Sequence, residues 1–398
     1  MSSNMDPDRG RGLVEDVRAG RITRRQLVQR ASILGVSLPA IGALLAACGG
    51  DDDEEATPPA ESAPAETGEA FKVGFIYIGP PGDAGWTFQH DEARKFLEEN
   101  VENVETTFLE NVPEANAGPA IDQLISQDNK LIFATSFGYG DTVIQKARDN
   151  PEVLFEHATG FQLADNVSTY FVRHWEPSFL LGVIAGHVSQ SGRLGYVGSF
   201  PIPEVIRDVN SFTLGAQSVN PDATTQMLFI NTWFDPPTEQ QAARSLIDGG
   251  ADTLFGITDS PNVLQAAAEE GALAATWNSD MGRFGPEAYL SSVVLNWGPR
   301  YVQRTEQAID GTWVSEDWWG TLAEDAVQLA PYGESVPDDV QAEVDEKLAG
   351  FEDGSFNPFV GPIADQTGEV RIADGEEVTF EQFVAWDWFV QGIEGSLE

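Results

Sequence analysis

The stretch FKVGFIYIGPPGDAGWTFQH (71–90) constrains the fold more than any other. Its apolar run, Val73 to Ile78, is short enough for a strand buried on both faces. The run breaks at Gly79, Pro80, Pro81 and Gly82, which cannot extend a strand, and restarts as a helix near Thr87. Strand, glycine-rich turn and helix open a βαβ unit. Ligands of open parallel sheets bind where such turns leave the carboxyl ends of strands. The turn carries Asp83 and Trp86, a charge and a flat ring where a ligand would sit. Asp83 reads equally as a helix cap, and Trp86 as a lid on the core; Gly85 before it gives close access to the ring.

Strand and helix signals keep alternating. Strands are expected over 104–109, 131–135, 153–158 and 168–172, with helices over 117–127 and up to 148. A second glycine-rich turn, Ser136-Phe137-Gly138-Tyr139-Gly140-Asp141, ends the 131–135 strand. At Arg173-His174-Trp175-Glu176-Pro177 the register changes, and a small-residue helix follows over 179–188. A second alternating set then begins: strands over 194–197, 225–230, 253–257 and 272–276, helices over 212–219, 238–248 and 261–270. Its turns include NTWFDP (231–236) and Trp277-Asn278-Ser279-Asp280. The two sets read as two doubly wound α/β lobes, 71–173 and 174–286. Residues 289–295 are placed to return to the first lobe, and 287–398 supply hinge crossovers and carboxyl-terminal elements. Trp313, Trp318, Trp319, Trp386 and Trp388 in this tail read as packing.

The amino terminus reads as an address. Thr23-Arg24-Arg25-Gln26-Leu27-Val28 resembles a twin-arginine export signal. Residues 31–47 are 17 uncharged, mostly apolar residues, too few to span a bilayer comfortably. They end at Leu45-Ala46-Ala47-Cys48, which is similar to a bacterial lipobox; Cys48 would take the lipid, and residues 1–47 would be removed. An unprocessed single anchor is the alternative. Residues 48–70 hold almost no large apolar side chain and read as an acidic tether.

Charge and cysteine usage narrow the function. The first 47 residues hold seven arginines and four acids; the rest carries 15 basic and 60 acidic side chains, a net −45. Such a surface repels phosphate backbones and excludes nucleic acid as a partner. Cys48 is the lone cysteine, so no internal disulfide forms. His90, His157, His174 and His187 are scattered without ligand spacing, so neither a metal site nor a Cys–His nucleophile is expected.

The motifs together resemble one family from about Lys72 onward: GDAGWTFQH (82–90), TSFGYGD (135–141), EPSFLLGVIAG (176–186), SFPIPEVIRDVNSFTLG (199–215), NTWFDP (231–236), GADTLFGITDSP (250–261), WNSDM (277–281) and VVLNWGPRYV (293–302). The chain is similar to the basic membrane protein family of ABC-transporter substrate-binding lipoproteins, which includes purine-nucleoside receptors. That resemblance implies the type I periplasmic-binding fold: two doubly wound parallel-sheet lobes, a hinge, and an interlobe cleft. It implies capture of a purine base or nucleoside, delivery to a membrane permease, no catalysis, no cofactor, and a monomer whose lobes are free to hinge. Trp86 and Trp233 match the family's two stacking positions, one per lobe. Asp259, Asn278 and Asp280 would meet the ring edge, although Asp259 reads equally as a helix cap ahead of Pro261. Ser136, Phe137 and Trp277 would wall the pocket, with Trp175, Glu176 and Trp297 near the crossovers; Glu176 reads equally as a hinge ion-pair partner. Where nucleoside receptors place an acid for the ribose, this chain has Asn278, and it lacks their lysine near Leu295 or Asn296. A free base, adenine first, therefore fits better than a nucleoside.

Rival readings stay open. An enzyme on this fold would need a GxSxG, Walker or triad motif, and none is present. A lipid-anchored receptor for a sensor protein would use the same pocket. A sugar, a flavin or an acyl-lactone-like signal could occupy the same cleft.

Overall fold

A computed structural model describes residues 69–82 and 84–397. The expected export signal, Cys48, most of the acidic tether and Asp83 lie outside the described residues.

The first alternating set is β1 (Phe71–Ile76), α1 (Trp86–Asn100), β2 (Val104–Leu109), α2 (Ala117–Ser126), β3 (Leu131–Ala134), α3 (Gly140–Asp149), β4 (Leu154–Ala158) and β5 (Val167–Val172). The second is α4 (Trp175–Val188), β6 (Arg193–Gly198), α5 (Pro203–Val219), β7 (Thr224–Phe229), α6 (Pro236–Asp248), β8 (Thr253–Ile257), α7 (Asn262–Glu270), β9 (Leu273–Thr276) and β10 (Tyr289–Leu295). The tail adds α8 (Gly298–Asp310), β11 (Asp317–Gly320), β12 (Val327–Leu329), α9 (Asp338–Asp353), β13 (Ile363–Ala364), β14 (Val370–Ile372), α10 (Phe380–Val384) and β15 (Ile393–Glu394).

Among the described residues these form two large sheets and a small antiparallel pair, β13 with β14. The first runs β11-β5-β4-β3-β1-β2, all parallel. The second runs β12-β10-β9-β8-β6-β7-β15, parallel except for β12 on β10. Helices cover both faces of such sheets, so the central strands are buried throughout: every residue of β3, β5 and β8 is inside. The edge strand β2 alternates with partly exposed positions instead.

Two expectations need correction. Residues 289–295 stay in the second sheet, because β10 pairs with β9 and β12. The return to the first sheet is made by β11, which Trp318 and Trp319 carry alongside β5. The helix expected from 212 begins nine residues earlier, at Pro203, where proline suits a first helical turn.

The chain passes between the sheets at Arg173–His174, at Asn296–Trp297 and between β11 and β12. Glu176 Oε2 accepts the Leu322 amide at 3.1 Å, which ties the first passage to the third. Helices α4 and α5 form the main helical contact of the second lobe. They meet backbone to backbone: a Cβ on Gly182 would lie 2.0 Å from the Phe212 carbonyl oxygen. That close approach explains the small-residue run in α4.

Candidate functional site

Each sheet reverses its strand order beside its first strand, between β1 and β3 in one and between β6 and β8 in the other. A cavity of about 530 Å³ opens where the carboxyl ends of these strands face each other. From the first lobe it is lined by Ile78 and Trp86 after β1, Pro113 and Glu114 after β2, Ser136 and Phe137 after β3, and Thr159 after β4. From the second come Phe200, Ile202 and Glu204 after β6, Trp233 after β7, Asp259 after β8 and Trp277 after β9.

The two indoles expected to stack are held differently. Trp86 is 9% exposed, and its Nε1 donates to the Thr135 carbonyl at 2.7 Å. Its ring meets His90 edge-on, centroids 4.5 Å apart, so it belongs to the core as well as to the cavity wall. Trp233 is half-buried and rests on Phe200 at 5.4 Å. Its carbonyl accepts the Asp259 amide at 2.9 Å, which fixes ring and carboxylate as neighbours. Asn278 Nδ2 in turn donates to Asp259 Oδ1 at 2.9 Å.

Gly85 serves the approach of the two lobes. A Cβ there would lie 2.4 Å from the Asp259 carbonyl oxygen, so the first-lobe turn sits directly on the second-lobe loop. Ser279 Oγ donates to the Ala84 carbonyl at 2.5 Å and closes the same seam.

Behind the wall lies a buried polar chain. Arg207 Nε donates to His174 Nε2 at 3.1 Å, so the other His174 nitrogen carries the proton and donates to Asp208 Oδ2 at 2.7 Å. Tyr196 and Ser178 complete the shell around Asp208. The Arg207 guanidinium lies over Phe171 (5.8 Å), Trp175 (5.5 Å) and Trp319 (5.3 Å). Phe171 and Trp319 belong to the first sheet and Arg207 to the second lobe, so this cation pins the lobes at their hinge. Burial lowers the His174 pKa to about 4, Asp208 opposing it and Arg207 reinforcing it. Trp277 stands edge-on to His174 at 4.9 Å and links the chain to the cavity wall.

Residues 70–364 match the family model of PnrA-like ABC transporter substrate-binding proteins. The chain belongs to that family. It is 47% identical over 332 residues to a purine-binding protein of Brucella abortus, covering 83% of this chain and 94% of that one. It is 36% identical over 330 residues to a putative ABC transporter glucose-binding protein of Haloferax volcanii, covering 83% and 82%. A solute-binding protein structure from Aeropyrum pernix superposes with a TM-score of 0.65 at 17% identity, over 73% of this chain and 94% of that one. One from Conexibacter woesei gives 0.61 at 24%, over 72% and 98%. These share the type I periplasmic-binding fold.

As a PnrA-like substrate-binding protein, the chain serves transport, with a small-molecule ligand and a membrane permease as partners. Among the described residues no helix is long and apolar enough to cross a membrane. Of the residues singled out by sequence, Trp86, Ser136, Phe137, Trp233, Asp259 and Trp277 share the cavity. Five others do not line it. Trp175 stacks on Phe383 at 4.7 Å under the carboxyl-terminal segment. Trp297 is fully buried and stacks on His90 at 5.2 Å. Glu176 pins the crossovers, and burial raises its carboxyl to about 7. Asn278 lies beneath the wall and supports Asp259. Asp280 is exposed and accepts the Gly282 amide at 3.0 Å. Sequence reasoning missed Phe200, Ile202, Glu204, Glu114 and Thr159. Phe200 to Glu204 lie inside the SFPIPEV motif already singled out, and their position after a first strand was the available signal.

Proposed function

We propose that this protein captures a purine base, adenine by preference, in the cavity between its lobes and delivers it to an ABC permease while held to the membrane by lipid on Cys48. The observation that carries the reading is the pairing of Trp86 and Trp233 on opposite walls of one cavity with the Asp259 carboxylate beside them. Aromatic stacking contributes roughly 1–3 kcal/mol per base without choosing among bases. Edge hydrogen bonds make the choice, since an unpaired buried polar group costs about 1–3 kcal/mol. The relative named for purine binding supports the same ligand class.

A calorimetric screen of adenine, hypoxanthine, guanine, adenosine, inosine and glucose tests it. Adenine binds tightest on this reading; a nucleoside binding more tightly than every free base overturns the preference for a base. A second reading, a sugar, is favoured by the relative named for glucose, because indole faces also stack on sugar rings. Glucose binding with no purine binding would establish that reading. For the anchor, the C48A form should leave the membrane fraction; membrane retention of that form would refute lipidation.

A further inference from the structure

The purine reading leaves a half-buried carboxyl of the wall unused. Glu204 lies in the first turn of α5, directly after β6, at the strand-order reversal of the second sheet. Its carboxyl has no hydrogen-bond or ion-pair partner among the described residues. Among the described residues no lysine, arginine or histidine lines the cavity beside it. Arg207, one turn along, is committed to His174 and to three aromatic rings. A half-buried carboxyl that faces a cavity without a protein partner is a group kept for a ligand.

We propose that Glu204 is the specificity-determining residue of the cavity, reading a ligand edge that sets a hydrogen-bond donor beside an acceptor. The inference rests on the purine reading and deepens it. A neutral carboxyl offers one O–H donor and one carbonyl acceptor, whereas a carboxylate offers acceptors alone. The neutral group matches the adenine edge, an amino donor next to a ring nitrogen. The ionised group matches the guanine edge, where a ring N–H and an amino group lie side by side as two donors. One side chain therefore prefers different bases in its two protonation states.

The surroundings place that change in the working pH range. Burial raises the Glu204 carboxyl to about 7; Arg207 pulls it down, and Asp208 pushes it up. Arg207 and Asp208 on α5 and Tyr196 on β6 interact with it electrostatically, His174 at the head of α4 stands behind Arg207, and Asp259 after β8 and Glu114 of the first lobe share its cavity.

The test is adenine and guanine binding by calorimetry from pH 5.5 to 8.5, on the intact protein and on the E204Q and E204L forms, each checked for folding by its melting curve. Adenine affinity should hold below the midpoint and fall about tenfold per pH unit above it, as a single-proton requirement dictates. Guanine affinity should rise over the same range. In E204Q the amide keeps a donor and an acceptor at every pH, so the adenine profile flattens and binding stays tighter than in E204L. E204L should lose about tenfold or more at low pH. A flat adenine profile in the intact protein, or E204L binding adenine as tightly, overturns the role of Glu204 and leaves the purine reading standing. Absence of purine binding at every pH overturns both.

Discussion

Replacing Gly85 by alanine tests whether binding and lobe closure are one event. The added Cβ would lie 2.4 Å from the Asp259 carbonyl oxygen and 2.6 Å from its carbonyl carbon and Cα. Comfortable contact needs about 3.5 Å, so roughly 1 Å must be found. Neither side yields locally. Asp259 is tied through its amide to Trp233 and through its carboxylate to Asn278, and Ala84 is tied to Ser279. The lobes must therefore part. Overpacking of this kind costs about 1–3 kcal/mol. Because an open cleft relieves the contact, the cost falls on the closed, occupied form. At about 1.4 kcal/mol per decade, affinity should weaken by roughly 5- to 150-fold. Isothermal calorimetry supplies the affinity, small-angle scattering the opening, and the melting curve of the empty protein the control. G82A, whose Cβ would meet nothing within 4 Å, is the matched neutral change. If G85A binds within about twofold of the unaltered protein, the coupling between seam and site is refuted. If instead G85A lowers the melting temperature of the empty protein by the full cost, the seam is permanent and closure is not gated by ligand.

The two indoles should separate in behaviour. W233A should lose roughly 1–3 kcal/mol of ligand binding with a nearly unchanged melting temperature, since its ring is half-buried on the wall. W86A should also lower unfolding free energy by about 3–5 kcal/mol, because that ring closes the core against His90; equal melting temperatures for the two variants would refute the distinction. The neutral His174 pair carries a pH signature. Its folded pKa, about 4, lies below the ordinary 6.5, so the unfolded chain binds the extra proton and this contribution, full above pH 6.5, is lost as pH falls toward 4. Urea unfolding of the unaltered protein should therefore lose more stability between pH 7 and 5 than the H174N form does, and equal losses would refute the assignment. R207K should weaken the hinge, since a lysine cannot reproduce the flat guanidinium over Phe171, Trp175 and Trp319; scattering profiles identical to those of the unaltered protein, with and without ligand, would count against that role.

Local chemistry made much of this protein legible. Apolar runs broken by Gly79 to Gly82 or by Gly138 and Gly140 announce parallel strands, and parallel strands place ligands at their carboxyl ends. Trp86, Ser136, Phe137, Trp233, Asp259 and Trp277 all lie just past strands, positions readable from the chain, and the resemblance to the family assigned them to the pocket. What the chain alone left open is which neighbours each side chain meets. Trp175 and Trp297 have the residue type and spacing of wall groups, yet Phe383 and His90 cover them. Strand β10 has the composition of either lobe's strands, and its partner is chosen by hydrogen bonds to β9 and β12 across the fold. Glu204 was hidden because the sequence signal for the helix bearing it starts nine residues later, at 212, so its carboxyl had no assigned wall. Residue types set the chemistry available; long-range packing decided which of those groups face the cavity.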